Sequence, residues 1–208
     1  MRRIQQTMLV VVLAGISASC GASRPIKYYV LDVSPAPAIS PSAQFPITLL
    51  IGRVTASHLY RDDRLVYGAG PVELGTYEYQ RWAESPADMV QDILISSLRS
   101  AKQYRSVSRI ESNFRGDYIL RGHLYSFYEV DKPELAARFS VQLDLFDPKS
   151  GTTVWTDSYS HDEPVTGKTV GDVVEALDRN VRAGMQQFTA NLAQYFSTHP
   201  EQPRAAAK

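Results

Sequence analysis

In Arg138-Phe139-Ser140-Val141-Gln142-Leu143-Asp144-Leu145-Phe146 polar and apolar side chains alternate without a break from Arg138 to Leu145. A strand turns successive side chains to opposite faces, so the run predicts one buried face, made of Phe139, Val141, Leu143 and Leu145, and one wet face. Asp147-Pro148-Lys149-Ser150-Gly151 follows as a cluster of turn formers, and a β pattern resumes from Thr153 to Ser160. The two runs read as an antiparallel hairpin.

Upstream, further β-branched and aromatic runs predict strands over Ile26–Val33, Ile47–Val54, Arg64–Tyr67, Val72–Tyr79, Ser106–Ile110 and Asp117–Val130. Gly68-Ala69-Gly70-Pro71 reads as a turn, within a loop from Gly68 to Gly75 that can shift the register of the strand after Tyr67. Two stretches change period. Ser85 is an N-cap with Pro86 at the first helical position and Asp88 three residues on, and Val90, Ile93, Leu94, Leu98 and Ala101 follow at helical spacing. From Thr169, with Asp172 three residues later, Val173, Leu177, Val181, Met185, Phe188, Leu192 and Phe196 form the stripe of a longer helix. Strands in two groups, each followed by a helix, predict a single α+β domain with a mostly antiparallel β-sheet and two helices packed on one face.

The N-terminus carries a different kind of signal. Arg2 and Arg3 precede the uncharged run Met8–Ile16, and Ser17, Ala18 and Ser19 lead into Cys20. That is the layout of a secretory signal peptide, and its apolar run is far shorter than the roughly 20 residues of a membrane-spanning helix. Cys20 is the single cysteine in the chain. It has no partner for an internal disulfide, and its place at the expected cleavage point makes it the acceptor of a lipid anchor. Ile16-Ser17-Ala18-Ser19-Cys20 resembles the lipobox of bacterial lipoproteins, with Ser17 where leucine is usual. Gly21 follows rather than the aspartate that tends to retain enteric lipoproteins in the inner membrane, so the expected location is the outer membrane, with the inner membrane as the alternative, facing the periplasm. The chain then divides into a signal peptide at 1–19, a lipidated N-terminus with a short strand and a Pro/Ala-rich linker (Ser34–Ser42) at 20–45, the α+β domain at 46–198, and a disordered tail at 199–208.

The whole chain balances 22 Lys+Arg against 22 Asp+Glu, and residues 1–19 contain two of the arginines and no acid. A near-neutral mature chain with no basic run gives no electrostatic footprint for nucleic acid. Nor does the sequence assemble catalytic parts. His58, His123, His161 and His199 are scattered, and no zinc motif, nucleophile elbow or phosphate loop is present. His58 with Asp62 and Asp63 sits in a polar loop beside Arg61 and Arg64, where charges pair with one another; His123, between Arg121 and Tyr125, reads as a surface or cross-strand residue. The expectation is a protein without enzymatic activity, metal or cofactor.

Tyr60, Tyr67, Tyr77, Tyr79 and Trp82 crowd together with Arg61, Arg64 and Arg81. These residue types are enriched at interface hot spots, and aromatics in strands equally fill a core. Both readings stand at this point.

The runs Lys27-Tyr28-Tyr29-Val30-Leu31, Ile51-Gly52-Arg53-Val54, Leu59-Tyr60-Arg61-Asp62-Asp63-Arg64-Leu65-Val66-Tyr67 and Tyr79-Gln80-Arg81-Trp82-Ala83-Glu84-Ser85-Pro86 together resemble the ABC-type transport auxiliary lipoprotein family. The resemblance runs from Ile26 to about Phe196. It implies a non-enzymatic component of an envelope lipid-trafficking machine, with an MCE-domain (mammalian cell entry) protein of the ABC transporter as partner and self-association into a ring as a further possibility. It implies no catalytic residues. Tyr60, Arg64, Tyr67, Arg81 and Trp82 are the candidate partner contacts and Cys20 the lipid-attachment site. Two other classes compete: an adaptor lipoprotein regulating a cell-wall synthase or another envelope complex, and a lipid carrier or hydrolase with a deep apolar cavity.

Overall fold

The computed structural model describes residues 24–32, 43–70, 72–111 and 115–200. The expected signal, Cys20, the Ser34–Ser42 linker and residues 201–208 lie outside them. In chain order the elements are β1 (Lys27–Tyr29), β2 (Phe45–Ala56), a 3-10 turn (His58–Tyr60), β3 (Arg64–Gly70), β4 (Glu73–Trp82), α1 (Pro86–Ser100), β5 (Tyr104–Arg109), β6 (Tyr118–Val130), β7 (Ala136–Asp147), β8 (Thr152–Pro164) and α2 (Val170–Thr198).

The two helices begin where their caps dictate. The Ser85 hydroxyl accepts from the Asp88 backbone N–H at 3.3 Å, with Pro86 inside the first turn, where a missing N–H costs nothing. At α2 the cap is reciprocal: the Asp172 N–H donates to Thr169 Oγ1 at 3.2 Å and the Thr169 N–H donates to Asp172 Oδ2 at 2.8 Å. Such a cap contributes about 1 kcal/mol.

All eight strands join one sheet. The β6–β7 and β7–β8 ladders are long and antiparallel and β3–β4 is antiparallel too, so most residue pairs are. Shorter parallel pairings attach β1 to β4, β5 to β2, and both β2 and β3 to β6. β6 is the spine. β7 runs along one of its edges; the other is divided, with β2 paired up to Leu124 and β3 from Glu129 onward.

Both helices cover the same face. Phe139, Val141, Leu143 and Leu145, the apolar half of the alternating run, are all buried there with Leu120 and Leu124 of β6. Val173, Leu177, Val181, Met185, Phe188, Leu192 and Phe196 of α2 close over them. Gly184 lets the helix come close: a Cβ there would stand 3.0 Å from the rings of Phe139 and Tyr159. Asn180, fully buried, is the polar tie in this layer. Its amide donates to the carbonyls of Ala137 (2.8 Å) and His161 (2.9 Å), and its oxygen accepts from the Tyr159 hydroxyl at 2.9 Å.

The structure corrects the expected loop at Gly68–Gly75. β3 runs through Gly68-Ala69-Gly70 and β4 is under way by Glu73, with Gly70 opposite Glu73. The glycines serve close packing instead: a Cβ on Gly68 would lie 2.3 Å from the Glu73 carbonyl oxygen, and one on Gly75 would lie 2.7 Å from the Tyr67 ring. The register does shift after Tyr67, and again between Arg64 and Val66.

Candidate docking surface

The segment from Leu59 to Trp82 forms the 3-10 turn and the β3–β4 hairpin, on whose outer edge β1 lies. The structure separates the residues that composition grouped. Tyr60 and Trp82 are 3% and 1% exposed. Trp82 meets Phe127 edge-on with ring centroids 5.3 Å apart, and its backbone N–H donates to the Asp63 carbonyl at 2.6 Å. The Tyr60 hydroxyl is hydrogen-bonded by the Phe127 backbone, and burial raises its pKa. Both are therefore core residues, and their side chains present nothing to a partner.

The other three reach the surface to different degrees. Arg64 stands 3.8 Å from Asp62, both well exposed. Arg81 is held by Asp63 at 2.5 Å and is mostly covered. Tyr67 is 36% exposed and packs on Tyr77, centroids 4.8 Å apart. The Tyr77 hydroxyl donates to Glu129 Oε2 at 2.9 Å. Glu129 is nearly buried, and burial lifts its pKa above the usual carboxylate range. Burial, followed by this carboxylate, pushes the Tyr77 hydroxyl up. Asp62 and Asp63 thus serve ion pairs; His58 does not join them in a cluster that could hold a metal, and no such cluster occurs among the described residues.

A second surface lies on the helix-free face of the sheet. Arg121, His123 and Tyr125 of β6 point away from the core that Leu120 and Leu124 enter. The Arg121 guanidinium lies 4.3 Å over the Phe146 ring, a cation–π contact. His123 Nδ1 and Thr55 Oγ1 are 2.8 Å apart across strands, and the His123 and Tyr125 rings lie 4.5 Å apart, as its cross-strand reading expected. With Arg53 and Gln142 they line an open cleft of about 480 Å³. Asp144 at its floor accepts from Thr156 at 2.6 Å. Strand alternation in β6 was the signal for this surface; residue composition alone favoured the hairpin.

At the far end of the sheet Arg138 forks onto Asp162, Nε to Oδ1 at 2.6 Å, and donates to the Tyr128 hydroxyl at 2.9 Å. The guanidinium holds the Asp162 carboxyl below its ordinary pKa. A cleft of about 450 Å³ opens beside it. Neither cleft is a closed apolar chamber of the kind that soluble carriage of a lipid tail needs. What the geometry offers is rigid, aromatic and arginine-bearing surface.

The family model described as the ABC-type transport auxiliary lipoprotein component matches residues 29–189. No curated protein matches the chain. Among solved structures, protein XCC0632 from Xanthomonas campestris is 18% identical with a TM-score of 0.73, over 83% of this chain and 99% of that one. An uncharacterized protein is 16% identical with a TM-score of 0.61, over 83% and 99% of the two chains. The hypothetical protein CT253 from Chlamydia trachomatis is 7% identical with a TM-score of 0.51, over 74% and 99%. At these identities the likeness is one of fold.

Proposed function

Because the chain belongs to the family of ABC-type transport auxiliary lipoprotein components, we propose that it is a non-enzymatic accessory subunit of an MCE-type ABC system that moves phospholipids and so supports envelope integrity. In this reading lipid on Cys20 holds the domain at the periplasmic side of the outer membrane, and an MCE-domain protein docks on it. The match over residues 29–189, most of the described domain, carries the reading. The helix-free face supports it, because it presents Arg121, held over the Phe146 ring, and Tyr125, residue types enriched at interface hot spots. Arg64 and Tyr67 stay candidate contacts; Arg121 and Tyr125 join them. Self-association is part of the same proposal.

The test is affinity capture of the lipidated protein from solubilised envelopes, with partners identified by mass spectrometry. Co-capture of an MCE-domain protein that weakens with Arg121→Ala, Tyr125→Ala or Arg64→Ala supports the reading and identifies the docking face. Capture of cell-wall enzymes without an MCE partner favours the adaptor alternative. Separately, Cys20→Ala should release the protein from membranes without unfolding it. Unchanged attachment of that variant would end the lipid-anchor claim.

A further inference from the structure

The segment Ile26–Leu31 around β1 is apolar on both sides, yet among the described residues only one side packs on the protein. Tyr29 and Leu31 turn inward and pack on the core. The Tyr29 hydroxyl donates to Gln80 Oε1 at 2.8 Å, and the Tyr29 carbonyl accepts from the Ala83 N–H at 2.8 Å. These bonds fix which way the strand faces. Ile26, Tyr28 and Val30 then point outward and are 46%, 63% and 62% exposed. A lone exposed apolar side chain needs no explanation, but three on one side of β1 and the residues that flank it do.

Covalent geometry says what lies near them. Ile26 is six residue steps from Cys20, and at roughly 3.3–3.6 Å per residue the chain spans about 22 Å at most. A lipid on Cys20 therefore keeps this edge within reach of the headgroup layer. Its chemistry suits that layer: a tyrosine between two aliphatic side chains, flanked by the exposed cations Arg24 and Lys27. Arg81, opposite Tyr28, and Arg64, opposite Arg81, continue the row across the hairpin. Asp63 and Asp62 already pair with those two, so they add little charge.

We propose that Ile26, Tyr28 and Val30 form a membrane-contact edge that rests in the headgroup layer of the anchoring membrane and fixes the orientation of the domain upon it. This rests on the lipid-anchor reading above. Three side chains are too few to hold a protein on a bilayer, so the edge orients what the acyl chains retain.

The test uses the full lipidated protein in phosphatidylethanolamine/phosphatidylglycerol vesicles. Lipid occupies Cys20, so Tyr28→Cys or Val30→Cys supplies the single thiol for an environment-sensitive fluorophore. Arg53→Cys, at a side chain 85% exposed on the sheet face, gives the comparison. Lipids carrying a nitroxide in the headgroup region should quench the label at positions 28 and 30 several-fold more than at 53. Equal quenching in protein that floats with the vesicles overturns the proposal and leaves the anchor standing. A label at 28 that is dry but unquenched also overturns it, and indicates a protein neighbour. Protein that does not float overturns the anchor reading and the proposal together.

Discussion

The β6–β7–β8 sheet with α2 and the β1–β4–β3 wing are built to different standards of regularity. In the first, β7 pairs with β8 from Ala136 to Asp147 with one irregularity, near Phe146, and its apolar half is sealed by a helix whose stripe has the matching length. In the second, β3 and β4 shift register twice, β3 reaches β6 through two residue pairs, Tyr67–Glu129 and Gly68–Val130, and β1 is three residues long. Regular ladders distribute stability over many equivalent contacts. An irregular wing concentrates it in a few, of which Trp82 against Phe127 is the deepest.

That contrast can be broken most directly at Trp82. Trp82→Ala should cost about 3–5 kcal/mol in urea unfolding, and amide exchange should quicken in β3 and β4 while β7 and β8 keep their protection. Uniform quickening would mean that wing and main sheet open as one unit. Asn180→Ala should cost about 2–3 kcal/mol, since it strands the Ala137 and His161 carbonyls and the Tyr159 hydroxyl in the buried layer. Here the exchange should quicken in β7, β8 and α2 first; a loss confined to the wing would reverse the comparison.

Gly68→Ala tests the tightness of the wing, because its Cβ would meet the Glu73 carbonyl. A loss of about 1–2 kcal/mol is expected, and an unchanged melting temperature would show that the hairpin can open to admit a methyl group. The smallest effect has the opposite sign. Glu129 has a raised pKa in the folded state, so its contribution to stability is present below the unfolded carboxylate pKa and is lost as pH rises through the folded value. Glu129→Gln keeps an acceptor for Tyr77 and removes the buried charge, so it should stabilise the protein modestly at neutral pH. The gain should shrink as the solution is acidified through that raised value. A gain independent of pH would assign the effect to packing.

The same contrast explains how much of the molecule was legible in its sequence. Alternation in β7 and the caps at Ser85 and Thr169 are local signals, and they located the hairpin, both helices and the covered face. Strand order was not legible, because parallel pairing of β2 and β3 with β6 joins segments far apart in the chain without a turn to announce it. Gly68 and Gly70 read as a turn because glycine is permissive, whereas at Gly68 the missing side chain is what lets the strands pack. Tyr60 and Trp82 looked like contacts because residue type does not say which way a side chain points. β6 did say so, through Arg121, His123 and Tyr125 alternating with Leu120, Gly122 and Leu124.

The divided edge of β6 also bears on how this chain can vary over time. Between Leu124, where β2 stops pairing, and Glu129, where β3 starts, no strand among the described residues lies beside the edge. Tyr60 fills the interval, its hydroxyl on the Phe127 backbone. The connection from β2 to β3 must therefore deliver one ring to one place while spanning a fixed gap. An inserted or deleted residue between Ser57 and Asp63 would unseat that ring, whereas the tip between β7 and β8 can lengthen freely. Related chains should keep the first connection constant in length and let the second drift.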